Sequence, residues 1–180
     1  MSGRTSDEDI RFSEEQRFRQ FWILIILSFI AAIAWYAFIQ QILMGEPFGD
    51  HPVTDIVVLI VLAIFGMLIP LLFLLLRLEI QVTRNSLRFR MYPFHLTWRI
   101  FPFGSIADVE AVRYRPLLDY GGWGIRIGRK GWAYNVSGDE GVQITLKSGR
   151  SFLLGSGRAE ELAGVLQSQL HRTGSQAEGP

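Results

Sequence analysis

The sequence contains no cysteine, so disulfides, thiol nucleophiles and thiolate metal sites are excluded. Histidine is scarce: His51, His95 and His171 are scattered and show no metal-ligand spacing. Lysine is almost missing, with only Lys130 and Lys147, and arginine carries nearly all the positive charge. The balance of 18 Lys and Arg against 17 Asp and Glu leaves a net charge of +1. That is too small to argue for nucleic acid as a partner. No nucleophile elbow or zinc motif appears. Asp108 and Glu110 share one strand face, but as solvated surface acids they do not suggest catalysis.

Charge is also missing from two long blocks, and there its absence is informative. Residues 21–44 contain no charged side chain. That apolar stretch is long enough for a helix to cross ~30 Å of hydrocarbon at 1.5 Å per residue. Trp22 sits where an interfacial aromatic belongs, and Gln40 and Gln41 mark the exit. Residues 56–76, IVVLIVLAIFGMLIPLLFLLL, form the second block. Pro70 within it donates no hydrogen bond and its ring clashes with the carbonyl of Gly66, so a kink is expected. Gly66 and Pro70 are tolerated in membrane helices because neighbours re-satisfy the freed backbone groups. A cleaved signal peptide does not fit, because the first block is too long, lacks a cleavage site and is soon followed by another. The connector between the blocks carries Glu46, Asp50 and His51 but no Lys or Arg, whereas Arg17, Arg19, Arg77 and Arg84 flank them. By the positive-inside rule both termini are expected in the cytoplasm.

Residues 1–20 are polar and mixed in charge. The first part is expected to be disordered, and the pattern from Phe12 reads as a helical lead-in to the first span. After Arg77 the period becomes two. Leu78, Ile80 and Val82, then Leu87, Phe89 and Met91, alternate with polar residues across a turn at Arg84-Asn85-Ser86, which predicts a hairpin. Leu96, Trp98 and Ile100 predict a third strand and residues 106–115 a fourth. Trp123-Ile125-Ile127 and Trp132-Tyr134-Val136 alternate on either side of a glycine-rich turn. Val142-Ile144-Leu146 and Phe152-Leu153-Leu154 complete about seven or eight strands, which imply an antiparallel barrel or sandwich. A closing helix begins near an N-cap at Ser156. Its stripe of Leu162, Leu166 and Leu170 must cover something apolar, most simply an open end of the barrel. The reading is therefore an α+β membrane protein. It has an N-terminal segment (1–20), a transmembrane hairpin (21–77, helices about 21–44 and 55–77), a β domain (78–171) and a disordered tail (172–180).

The strings RNSL, GSIADVEAVRYRP, GGWGIR, AYNVSGDEGVQITLKSGRSFLLGS and RAEELAGVL resemble a family of small, uncharacterised bacterial membrane proteins. In that family a pleckstrin-homology-like (PH-like) β-barrel with a C-terminal capping helix follows a two-helix anchor. The resemblance implies a plasma-membrane location and a binding role rather than an enzymatic one, since the wider group binds lipid headgroups, peptides or partner domains. It implies no cofactor and no small-molecule substrate. The expected partners are the lipid bilayer and either another protein or a second copy of the chain. Arg77, Arg84, Arg88, Arg90 and Arg99 are the candidate headgroup contacts, with Arg84 to Arg90 in a place similar to that of the phosphoinositide-binding residues of eukaryotic PH domains. The arginines also need only sit beside anionic headgroups to hold the topology. The glycine-rich segment 121–131 lies between strands, which argues against a dinucleotide loop. With Trp123, Arg126, Arg129, Lys130 and Trp132 it is the candidate recognition loop.

Overall fold

The computed structural model of the chain describes residues 10–18, 20–50, 53–128 and 131–177. The expected disorder of residues 1–9 and 178–180, the flanking Arg19, and His51 in the connector lie outside them, as do Arg129 and Lys130 of the recognition loop. The chain divides into two units: Phe18–Leu76, and the strands on either side of it together with the rest of the chain.

The first unit holds two helices, Phe21–Leu43 and Asp55–Leu75, each long and apolar enough to cross a membrane. Only 11% of each apolar window is buried, so these are not core helices of a soluble fold, which bury most of their surface. Ala34 and Ala37 of the first helix and Val58 and Leu62 of the second are buried. The two alanines are small enough to let helix backbones approach closely. Gln41 closes the connector by donating from Nε2 to Val53 O and to Asp55 Oδ1, both at 2.8 Å.

Around Pro70 the second helix departs from regular α-helical geometry. The second helix is π-helical over Leu62–Leu68, immediately before Ile69 and Pro70. The wider turn makes room for the proline ring. A helix would normally satisfy the Gly66 carbonyl with the amide four residues on, which Pro70 lacks. Trp35 Nε1 of the first helix donates to that carbonyl at 3.3 Å. Position 66 has little spare room, because a Cβ there would lie 2.8 Å from Leu62 Cδ1 and 3.4 Å from Trp35 Nε1.

The second unit contains nine strands among the described residues. A four-stranded sheet has the order β1-β2-β3-β4, with β1 Ile10–Arg17, β2 Arg77–Thr83, β3 Ser86–Tyr92 and β4 Arg99–Pro102. A five-stranded sheet has the order β5-β8-β9-β7-β6, with β5 Ile106–Arg113, β6 Gly124–Gly128, β7 Gly131–Asn135, β8 Glu140–Leu146 and β9 Ser151–Gly155. The two sheets do not close into the expected barrel. Nor is the pairing wholly antiparallel, because β7 and β9 run parallel. The hairpin β6-β7 precedes β8-β9 in the chain and adds to the far side of β9, with β7 parallel to it.

Phe89 and Phe101 of the first sheet meet Phe152 of the second at ring-centroid distances of 5.6 and 4.9 Å, and Phe89 meets Tyr134 at 4.9 Å. Aromatic pairs in these geometries add about 0.5–1.5 kcal/mol each beyond their burial. The C-terminal helix, Ala159–Ala177, lays the fully buried Leu162 and Leu166 on β5 and β8. The N-cap expected at Ser156 is displaced: the helix starts at Ala159 and Leu162 N donates to Arg158 O, so Arg158 holds the cap position, while Ser156 Oγ accepts from Arg158 N at 3.0 Å in the turn that leads into it. The helix runs past residue 172, where a disordered tail was expected, to Ala177.

Two further expectations are corrected. The lead-in from Phe12 is a strand, not a helix. β1 pairs antiparallel with β2, and its inward residues are needed by the core: Phe12 is buried, Gln16 Nε2 donates to Gly155 O at 2.8 Å, and Glu14 accepts from Ser156 Oγ at 2.6 Å and Gly157 N at 2.9 Å. In β4 the faces are opposite to the expected ones. Phe89 opposes Arg99 and Leu87 opposes Phe101, which puts Phe101 and the still exposed Arg99 on the inward face and leaves Ile100 on the outer one; Leu96 lies exposed in the loop before the strand, which starts only at Arg99. A one-residue change of register exchanges every side chain between faces.

Candidate functional site

The arginines are best located from the register of the first sheet. Arg17, Arg77 and Tyr92 form one row across β1, β2 and β3, at the end of the sheet from which the chain passes into the apolar helices. Both crossings between the units therefore leave from neighbouring, paired strands. Arg77 Nε lies 2.8 Å from Glu79 Oε1, and the Arg90 guanidinium lies 2.7 Å from Glu79 Oε2. Arg77 also lies over the Tyr92 ring at 5.0 Å, and Arg90 over Trp98 at 4.8 Å. Arg88 shares this outer face, and its Nε donates to Ser86 Oγ at 3.2 Å.

The remaining two arginines go elsewhere. Arg84 sits in the turn at the opposite end of β2, ~20 Å away for a seven-residue strand. Arg99 lies on the inward face and donates to Tyr134 OH at 2.6 Å. The five arginines that look like one cluster in sequence thus become a group of Arg77 and Arg90 tied to Glu79 at the end of the sheet next to the apolar helices in sequence, with Arg88 along the same face, plus two separate residues. Sequence reasoning missed Glu79 as the shared partner, although its place between alternating apolar residues put it on the arginine face.

The glycine-rich segment forms the edge of the second sheet. Trp132 is 46% exposed and stacks near-parallel on Tyr134 at 6.5 Å. Ile127, opposite it on β6, is 68% exposed. Trp123 is half-buried, with Nε1 donating to Gly138 O at 3.0 Å, and Arg126 Nε donates to Trp123 O at 3.1 Å. Glycine at 128 is a packing requirement, since a Cβ there would lie 2.5 Å from the Tyr120 ring.

Between the end of β5, the residues that follow it, β8 and β9 lies a cleft of about 500 Å³, lined by Val112, Tyr114, Tyr120, Gln143 and Leu153 and rimmed by Arg113. The short helix Pro116–Tyr120 brings Tyr120 edge-on to Tyr114 at 5.8 Å. Burial pushes the Tyr114 hydroxyl up to about 12, against the opposing hydrogen bond that Asn135 Nδ2 donates to it at 3.0 Å. Burial, helped by Asp119, raises Tyr120 as well. Both phenols thus stay protonated through neutral pH and offer hydrogen bonds rather than charge. Asn135 opens an Asn-Val-Ser acceptor motif, yet it is fully buried and also accepts from Gly124 N at 3.0 Å. Asp108 and Glu110 are exposed on β5. Among the described residues no group of three or more His, Asp or Glu is placed to hold a metal.

A family model described as "Family of unknown function (DUF6141)" matches residues 4–169, and the chain belongs to that family. No curated protein matches it.

Proposed function

We propose that this member of the DUF6141 family is a membrane-anchored, non-enzymatic binding module, which holds a PH-like β unit at the cytoplasmic face of a bacterial plasma membrane for a protein partner or a second copy of itself. One observation carries the reading. Two strongly apolar helices adjoin in sequence two paired neighbours of one sheet, Arg17 and Arg77. A lipid-spanning hairpin joined there tethers the β unit by both of its crossings, at a row that carries arginine and tyrosine. The arginine-free connector supports cytoplasmic termini. Two facing sheets and a C-terminal helix on β5 and β8 support the PH-like reading in plan.

Trp132 and Ile127 are the favoured recognition surface, because exposed aromatic and aliphatic side chains beside the edge strand β6 suit a protein partner. A headgroup sensor built on Arg84, Arg88 and Arg90 is disfavoured, since Arg90 is committed to Glu79 and Arg84 lies in the turn at the other end of β2.

The test is a photo-crosslinking amino acid at Trp132 in the full chain in native membranes, with the same group at Asn85 as control. A discrete adduct, to another protein or to itself, from position 132 alone supports the module. Adducts from both positions or from neither oppose it. Release of the protein by alkaline carbonate would refute the anchor.

A further inference from the structure

On the basis of the membrane-anchored reading above, we propose that the loop joining β3 to β4 is a second membrane contact, with Phe94 and Leu96 inserted into the lipid interface beside the points where the two helices leave the sheet. The loop follows directly on Tyr92, the third member of the row Arg17, Arg77, Tyr92. It therefore hangs from the same end of the sheet as both crossings. Phe94 is 55% and Leu96 72% exposed.

The loop is shaped to present these two side chains. His95, between them, is turned back onto β3: its N–H donates to Met91 O at 2.7 Å, and its Nδ1 accepts from Met91 N at 3.4 Å. Phe94 and Leu96 are left outside the fold on either side of that tether. A single exposed apolar residue needs no explanation, but here the surroundings match an interface. Tyr92 and Trp98 bracket the loop, under the guanidinium groups of Arg77 and Arg90. Such amphipathic rings and snorkelling arginines suit the headgroup level. The loop, PFHLTW, has no carboxylate, and Glu79 behind it is paired with both arginines. Burial and the nearby Arg99 lower the His95 pKa, so the imidazole carries no charge into the interface at neutral pH.

Because the protein has no cysteine, single cysteines report position directly. The full chain in lipid nanodiscs is labelled with an environment-sensitive fluorophore at Leu96→Cys, Asn85→Cys or Leu74→Cys, and spin-labelled lipids are added as quenchers. Insertion to the ~5–10 Å depth of interfacial segments predicts a roughly twofold loss of fluorescence at position 96 with a shallow spin label. Position 74 should be quenched as part of the span, and position 85, in the far turn, should not. If position 74 is quenched while 96 matches 85, the loop proposal is overturned and the anchor stands. If position 74 is not quenched, the anchor fails and the loop proposal with it. Equal quenching at 85 and 96 would mean that the sheet lies flat on the lipid, which also overturns an end-specific contact.

Discussion

Removing β1 tests how the β unit is assembled. A fragment that starts at Leu78 contains every strand that sequence patterning marks as β, yet it lacks Ile10–Arg17. Phe12 is 3% exposed, and losing a buried phenylalanine costs about 3–5 kcal/mol. The Gln16 to Gly155 bond goes too, about 1 kcal/mol net, as do the bonds of the Glu14 carboxylate to Ser156 and Gly157, at about 1.5–3 kcal/mol each. These losses approach the whole ~5–15 kcal/mol stability of a typical domain. The remedy follows from the register. Because Arg17 opposes Arg77, an Asn-Gly turn can replace residues 18–76 and close β1 onto β2 as a tight hairpin. In urea titrations followed by far-UV circular dichroism, the hairpin-closed protein should unfold in one cooperative transition. The fragment from Leu78 should show no cooperative transition. Equal midpoints for the two would refute the role given to β1.

In the hairpin-closed protein, Leu166→Ala should cost about 2–5 kcal/mol in urea unfolding; a change within ~0.5 kcal/mol would make the C-terminal helix peripheral. Tyr114→Phe strands the buried Asn135 amide and should cost about 1–3 kcal/mol at neutral pH. The same tyrosine sets an alkaline limit. Its pKa is raised from 10.0 to about 12 by folding, so the unfolded chain releases the proton first and stability falls as pH rises between those values. At 1.36 kcal/mol per pH unit the loss is about 3 kcal/mol. The phenylalanine variant should lack that component, and an unchanged alkaline slope would refute the assignment. Within the apolar unit, Trp35→Phe removes the donor to Gly66 O and should lower helix-pair stability in bicelles by about 0.6–2 kcal/mol. An effect no larger than that of Trp22→Phe would show that the π-helical turn satisfies the carbonyl unaided.

Several features were legible from the chain alone, because they depend on neighbours in sequence. The two charge-free blocks, the β2-β3 hairpin around Arg84 and Asn85, the leucine stripe of the last helix and the gap at Pro70 each follow from local periodicity or from one residue's covalent geometry. What stayed hidden needed partners distant in the chain. β1 looks like a charged helical lead-in, since Glu14 and Gln16 sit where a strand would show apolar residues. Only the ends of β9 and the last helix, about 140 residues on, supply the donors and acceptor that let those polar side chains face inward. Likewise, five arginines close in sequence divide between two faces and two ends of a sheet, and the register that divides them is set by which strand pairs with which. Local pattern says which residues can form a strand; the face and the end on which each side chain lies depend on pairing across the sheet, which the tertiary fold alone decides.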